Sequence, residues 1–227
     1  MTIPPFTVRQ LGIDAIVVDF GNVISEELND LVVAAGLRIE SDPFTGFLEV
    51  VPAFSSLTVF FDPLTVRQKF PDRVSGRAVA DIVTVIIRGL PEIKAARSLQ
   101  TFEIPVDFSA EAAPDLEFVA QNAGLSVSET VSLVTARPYR VFMLGFLPGF
   151  AYMGEIDERL AAPRRSTPRT KIEKGSVGIA GRQTGIYPLE SPGGWQIIGR
   201  TDIELFTPDA AQPTLLSPGD EVRFRAI

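Results

Sequence analysis

The 227-residue sequence contains no histidine and no cysteine. Without histidine, neither a Ser-His-Asp nor a Cys-His mechanism can be assembled within the chain, and ordinary histidine-based zinc sites are excluded, so no metal is expected. Proton transfer by this chain alone would fall to Asp, Glu, Lys, Tyr or a water. The lack of cysteine removes disulfides, in keeping with a reducing compartment. Long apolar runs are missing as well. Nothing approaches the roughly 20 apolar residues that span a bilayer, and residues 1–6 have no basic stretch leading into an apolar one. A cytoplasmic protein without membrane attachment is expected. Positive charge is also in short supply: the formal net charge is −7, with a pI near 4.8. That balance opposes a mainly electrostatic attachment to nucleic acid or anionic lipid.

What is present is ample apolar material, 45% of residues, enough for one large domain or two small ones. Residues 15–20 read as a buried strand ending at Gly21. A helix capped by Ser25 follows, with Leu28, Leu31, Val32 and Ala35 on one face and Gly36 offering a stop. Strand-like runs cover 46–51 and 57–61, and a second helix carries Val79, Ile82, Val83, Ile86 and Leu90 on one side. An extended run over 102–108 completes a β-α-β-β-α-β order, which predicts a ferredoxin-like N-terminal domain over residues 1–105.

Beyond Pro105 the texture changes. Two short helices are predicted over 114–123 and 126–135, the second opening on the capping box Ser126 to Glu129. Short apolar runs broken by Gly and Pro follow, with strands expected over 139–146, 176–180, 195–199 and 221–224. These predict a mainly β second domain over 106–227, a barrel or a sandwich, and an α+β chain as a whole.

Charge is unevenly placed. Arg159, Arg164, Arg165, Arg169, Lys171 and Lys174 face one acid, Glu173, so residues 159–174 carry +5 and the rest of the chain −12. Arg164, Arg165 and Arg169 are held around Pro163 and Pro168. Their guanidinium forks can thus meet a carboxylate or phosphate at reduced ordering cost. The competing reading is that they pair with the chain's own acids or sit solvated. Residues 178–185 have the glycines of a phosphate loop but neither its Lys-Ser/Thr ending nor a clear following helix, so an ATP site is not supported there. Gln183, Thr184 and Tyr187 offer neutral hydrogen bonds to an amide or carboxyl group, against plain turn and barrel-corner roles. Trp195, the only tryptophan, can line a pocket or pack in the core. Phe146 and Phe150 pose the same choice, and Tyr152 can add a hydroxyl to a pocket wall.

Several of these segments form a recognisable set. They are Gly145-Phe-Leu-Pro-Gly-Phe-Ala-Tyr152, the Pro-Arg-Arg and Pro-Arg elements at 163–169, the Gly-rich stretch 175–188, and Ser191-Pro-Gly-Gly-Trp195 running on to Thr201. They resemble the family of KipI and the 5-oxoprolinase B-type subunits, also described as allophanate hydrolase subunit 1 or carboxyltransferase subdomain C and D. The resemblance extends back through Pro114-Asp-Leu, residues 56–63 and residues 20–25. It implies a cyclophilin-like C-terminal β-barrel and a partner, a C-type subunit of related architecture. In the complete enzyme an A-type subunit joins them, and 5-oxoproline becomes glutamate as ATP is hydrolysed. On this reading the chain is a hydrolase subunit active only in a complex, with Arg164, Arg165, Arg169, Gln183, Thr184, Tyr187 and Trp195 binding a small carboxylated substrate and no catalytic residue assigned. The family also implies alternatives: a KipI-like inhibitor of a sporulation histidine kinase, or a urea carboxylase-type carboxyltransferase subunit. One departure stands out, since Leu133-Val134 occupies the place where relatives carry Leu-His, and Phe108-Ser-Ala110 replaces Tyr-Gly-Gly. An altered substrate or reduced activity would follow if that histidine is catalytic.

Overall fold

In the computed structural model, which describes residues 3–90 and 100–227, the chain divides into two units, Met1–Ser98 and Leu99–Ile227, each with its own apolar core. The first is built from β1 (Thr7–Leu11), β2 (Ala15–Asp19), α1 (Glu26–Ser41), β3 (Phe47–Pro52), β4 (Ser56–Phe61), α2 (Pro63–Lys69) and α3 (Ser75–Arg88). Its sheet is antiparallel throughout, in the order β1-β2-β4-β3. Period-two alternation buries Leu57, Val59 and Phe61 on one face of β4. Ser25 caps α1 by accepting from the Leu28 N–H at 3.4 Å. The helix then runs through Gly36, because that glycine lies against the sheet, where an added Cβ would meet Leu57 at 3.6 Å and Val50 at 3.7 Å in ordinary contact. The expected stop at Gly36 is therefore replaced by helix–sheet packing. On α3 the buried line is Val79, Val83 and Ile87.

The strand expected over 102–108 does not close this sheet. As β5 (Thr101–Val106) it pairs in parallel with β13 (Glu221–Ala226) in the second unit, while β1 takes the edge beside β2. The inner order β2-β4-β3 is that of a split βαβ unit, completed from the N-terminal side of the chain rather than the C-terminal side.

The second unit continues with α4 (Leu116–Ala123), α5 (Val127–Thr135), β6 (Tyr139–Leu144), β7 (Ala151–Gly154), a 3-10 turn (Glu158–Leu160), β8 (Arg169–Ile172), β9 (Ser176–Ala180), β10 (Gln183–Ile186), β11 (Ser191–Gly193), β12 (Gln196–Arg200) and β13. The capping box on α5 is present, with the Glu129 N–H donating to Ser126 Oγ at 3.2 Å and the Ser126 N–H to Glu129 Oε2 at 2.8 Å. Seven strands follow the order β12-β9-β10-β7-β6-β13-β5, a mixed sheet. Its two edges meet at Asp107 and Arg200, whose backbones exchange N–H···O bonds of 2.7 and 3.0 Å, so the sheet is nearly closed into a barrel. Gly199 permits this seam, since a Cβ there would lie 2.5 Å from Val106 Cγ1. Val106, Val141, Met153, Val177, Ile179, Ile186, Ile198 and Phe224 belong to the main core of this unit. Among the described residues no helix is long and apolar enough to cross a membrane.

Candidate functional site

The arginine segment lies between the 3-10 turn and β8. It reaches back to the start of α4, and what it meets there is an acid. Asp115 is 4% exposed and accepts from four donors: Arg165 Nη1 at 3.0 Å, Arg169 Nη1 and Nη2 at 2.8 Å each, and the Ile197 backbone N–H at 2.6 Å. Arg169 thus forms a bidentate fork on a carboxylate that is nearly dry, the geometry in which such pairs are strongest. The Asp115 N–H in turn donates to Ile197 O at 2.9 Å, tying α4 to β12.

The cations of residues 159–174 are largely neutralised within the chain. Arg159 pairs with Asp157, Lys171 with Glu190, Lys174 with Glu204, and Arg165 and Arg169 with Asp115. Asp157 is held down to about 2, first by the hydrogen bond from the Arg159 side chain and next by the Arg159 backbone N–H. Among the described residues Arg164 alone of that stretch has no ion-pair partner, and its side chain is exposed.

Arg164 opens onto a cleft of about 500 Å³ lined by Asp115, Phe118, Pro163, Arg164, Arg165, Ser166, Thr167 and Gln196. Phe118 projects from α4 and is half-exposed. Gln196, at the start of β12, is 4% exposed and donates Nε2 to Pro163 O at 2.9 Å. The Arg165 N–H donates to Gly194 O at 2.8 Å, so the arginine loop is fastened to the loop before β12 at a second point. A smaller cavity of about 120 Å³ is lined in part by Arg169, Lys171, Glu173, Ser176 and Arg200.

Beside the arginine loop stands an aromatic cluster. Phe150 lies within 5.6 Å of the ring centres of Phe146, Tyr152, Tyr187 and Trp195, each edge-on, an arrangement that favours ring quadrupoles. The glycines of the Gly-rich segment make room for these rings. A Cβ on Gly185 would sit 2.8 Å from Phe150 Cζ, and one on Gly193 would sit 2.5 Å from the Tyr187 hydroxyl. Burial pushes the Tyr187 hydroxyl up to about 12, against smaller lowering contributions from the Trp195 N–H and from Arg164 and Arg169. Phe146 takes φ +69° inside a γ-turn in which the Leu147 N–H donates to Gly145 O at 2.8 Å, and the turn holds the ring more than half exposed at the edge of the cluster.

The residues singled out by sequence are therefore only partly assembled. Arg164 and Arg165 line the larger cleft and Arg169 the smaller cavity, and Tyr187 and Trp195 are buried in the aromatic cluster. Thr184 is 1% exposed, with its hydroxyl donated to Gly178 O at 3.0 Å, and Gln183 begins β10 opposite Ala180, about 13 Å along the strand from Tyr187. Residues 178–185 form the β9–β10 hairpin and open no helix. Pairing with the chain's own acids holds for Arg165 and Arg169, while Arg164 has no ion-pair partner among the described residues. Asp115, Phe118 and Gln196 were not among the predicted site residues. The signals for Asp115 and Gln196 were an acid directly after Pro114 and a polar side chain at the head of the apolar run Ile197-Ile198. Val134, at the position of the expected histidine, is buried in the main core of the barrel unit and lines neither cavity. Among the described residues no group of three or more Asp or Glu side chains is placed to hold a metal.

Fold and site define a class: an antiparallel α+β unit followed by a nearly closed mixed barrel with an arginine-lined cleft. The chain belongs to the carboxyltransferase domain family, subdomain C and D, whose family model matches residues 6–216. It is 45% identical to the B subunit of 5-oxoprolinase from Bacillus subtilis over 98% of this chain and 93% of that one. It is 41% identical to the protein of the same name from Escherichia coli O157:H7 over 78% and 77% of the two chains. Among solved structures it resembles a conserved uncharacterised protein, PH0987, from Pyrococcus horikoshii, with 43% identity, 97% coverage of both chains and a TM-score of 0.55. It also resembles TTHA0988, with 33% identity and a TM-score of 0.79 over 95% of this chain, which spans 40% of that protein.

Proposed function

We propose that the chain is the B subunit of an ATP-dependent 5-oxoprolinase complex that converts 5-oxo-L-proline to L-glutamate. The observation that carries this reading is the 45% identity, over nearly the full length of both chains, to a protein named as the B subunit of 5-oxoprolinase. The arginine-lined cleft agrees with it, because a small carboxylated substrate needs one accessible cation in a preorganised setting, and Arg164 is placed as that cation. Arg165 and Arg169, paired to Asp115, stand behind it, and Tyr187 and Trp195 belong to the buried aromatic cluster next to the arginine loop.

The complex would include a C-type and an A-type subunit, with the cleft completed by the C-type partner. On this reading the first unit is a ferredoxin-like domain and the second a cyclophilin-like barrel, and the assembly is cytoplasmic. Opening a lactam is thermodynamically uphill, so ATP hydrolysed by the complex supplies an activated intermediate. The part of this chain is to bind, orient and exclude water rather than to supply an acid–base pair. No ATP site is assigned to it.

Co-expression with the C-type and A-type subunits, purification through a tag on this chain and assay of ATP-dependent glutamate formation test the proposal. Activity that disappears when this chain is omitted is the expected result. A stable complex that ignores 5-oxoproline would overturn the substrate, and the absence of any complex would overturn the role as one component of an assembly.

A further inference from the structure

The side chains around the larger cleft differ in what they have left to offer a ligand. Arg165 Nη1 and Asp115 are engaged with each other, Arg165 Nε is buried without a partner, and Arg164 is free of ion pairs among the described residues. Gln196 has given Nε2 to Pro163 O at 2.9 Å, whereas its Oε1 accepts from no described residue. It is 4% exposed yet lines the cleft, so a carbonyl acceptor is held at the cleft wall in a fixed orientation. Phe118 adds a half-exposed ring from α4. Cation, neutral acceptor and apolar face thus line one cavity.

Resting on the 5-oxoprolinase reading, we propose that Gln196 is the residue that selects a lactam. Its Oε1 accepts the ring N–H of 5-oxoproline, Arg164 holds the carboxylate and Phe118 packs on the ring. The chemistry of the ligand matches this order, since the N–H and the carboxylate of 5-oxoproline are borne on the same carbon. A buried acceptor whose intended donor is missing stays unpaired, so an analogue without the N–H is rejected even when its size and shape are unchanged. Gln196 is on this account a specificity residue and does no bond-making chemistry.

The test uses the full complex of this chain with its C-type and A-type partners. It compares the KM for 5-oxoproline with the inhibition constant of the γ-lactone carboxylate, the same ring with oxygen in place of N–H. In the wild type the lactone should bind roughly 10- to 100-fold more weakly than the lactam. Gln196→Met should bring that ratio close to one, because loss of the bond to Pro163 O weakens both ligands alike whereas loss of Oε1 weakens the lactam alone. Phe118→Ala, a change at a half-exposed position, should weaken both ligands by similar factors and preserve the ratio. A wild-type complex that turns over 5-oxoproline, with a ratio that Gln196→Met leaves intact, overturns the Gln196 assignment and spares the 5-oxoprolinase reading. Affinities unmoved by Phe118→Ala overturn the placement of the ring in this cleft. A wild-type complex that shows no turnover at all overturns the 5-oxoprolinase reading and this assignment together.

Discussion

At Asp115, four donors converge on two nearly dry oxygens, and three of the four come from arginines. Removing the acid leaves Arg165 and Arg169 side by side without their counter-charge, which is the costly way to break a buried pair. Asp115→Asn is expected to lower the unfolding free energy by about 3 kcal/mol in urea denaturation. Arg164→Ala should stay within about 0.5 kcal/mol of the wild type, as usual at exposed positions, while impairing substrate use. The contrast separates the arginine proposed to meet ligand from the two paired to Asp115. Tyr187 gives a second test at this scale. Its hydroxyl is neutral in the folded chain up to about 12, above the ordinary value of 10.0, because burial penalises the phenolate. A raised folded-state pKa contributes stability that is complete below the unfolded value and fades as pH climbs through the folded one. The stability difference between wild type and Tyr187→Phe should therefore be flat below pH 10 and move against the wild type on the way to about 12, as followed by denaturant melts at each pH.

Among the elements, the helices with chemical start signals were the most legible. Ser126 and Glu129 announce α5 by their spacing alone, and both reciprocal bonds form. Ser126→Ala should cost about 1 kcal/mol, measurable as a lower urea midpoint with unchanged slope. Strands were less legible where their partners lie far away in sequence. The run at 102–108 reads as extended, but only the C-terminal β13 determines which sheet it enters, and no local pattern carries that information. Gly36 illustrates the opposite limit, a helix stop signal overridden because tertiary packing occupies the same residue. In the Gly-rich segment, sequence indicated close approach and left open what approaches. The structure supplies the aromatic rings of Phe150 and Tyr187 and, at the barrel seam, Val106. Gly199→Ala should accordingly destabilise the barrel by roughly 1–3 kcal/mol through overpacking at that seam.

On the scale of the whole molecule, the two apolar cores share no residue, one running from Ile16 to Ile87 and the other from Ile104 to Phe224. The expectation of two domains, 1–105 and 106–227, came from composition and turn spacing. Of the candidate cleft only Arg164 and Arg165 had been singled out in the sequence, because a wall residue such as Gln196 is defined by what its amide is already bonded to. Residues 100–227, expressed alone, should unfold cooperatively with the aromatic near-ultraviolet circular dichroism of the full chain. A chain fragment without that signal would show that the barrel needs the first unit to fold. The same division has an optical consequence. The only tryptophan, Trp195, sits 5% exposed among the barrel's rings, so one unit of the molecule carries the lamp and the other is dark. Intrinsic emission from an unmodified sample reports the melting of the barrel by itself. Whatever the first unit does on heating has to be read from another signal.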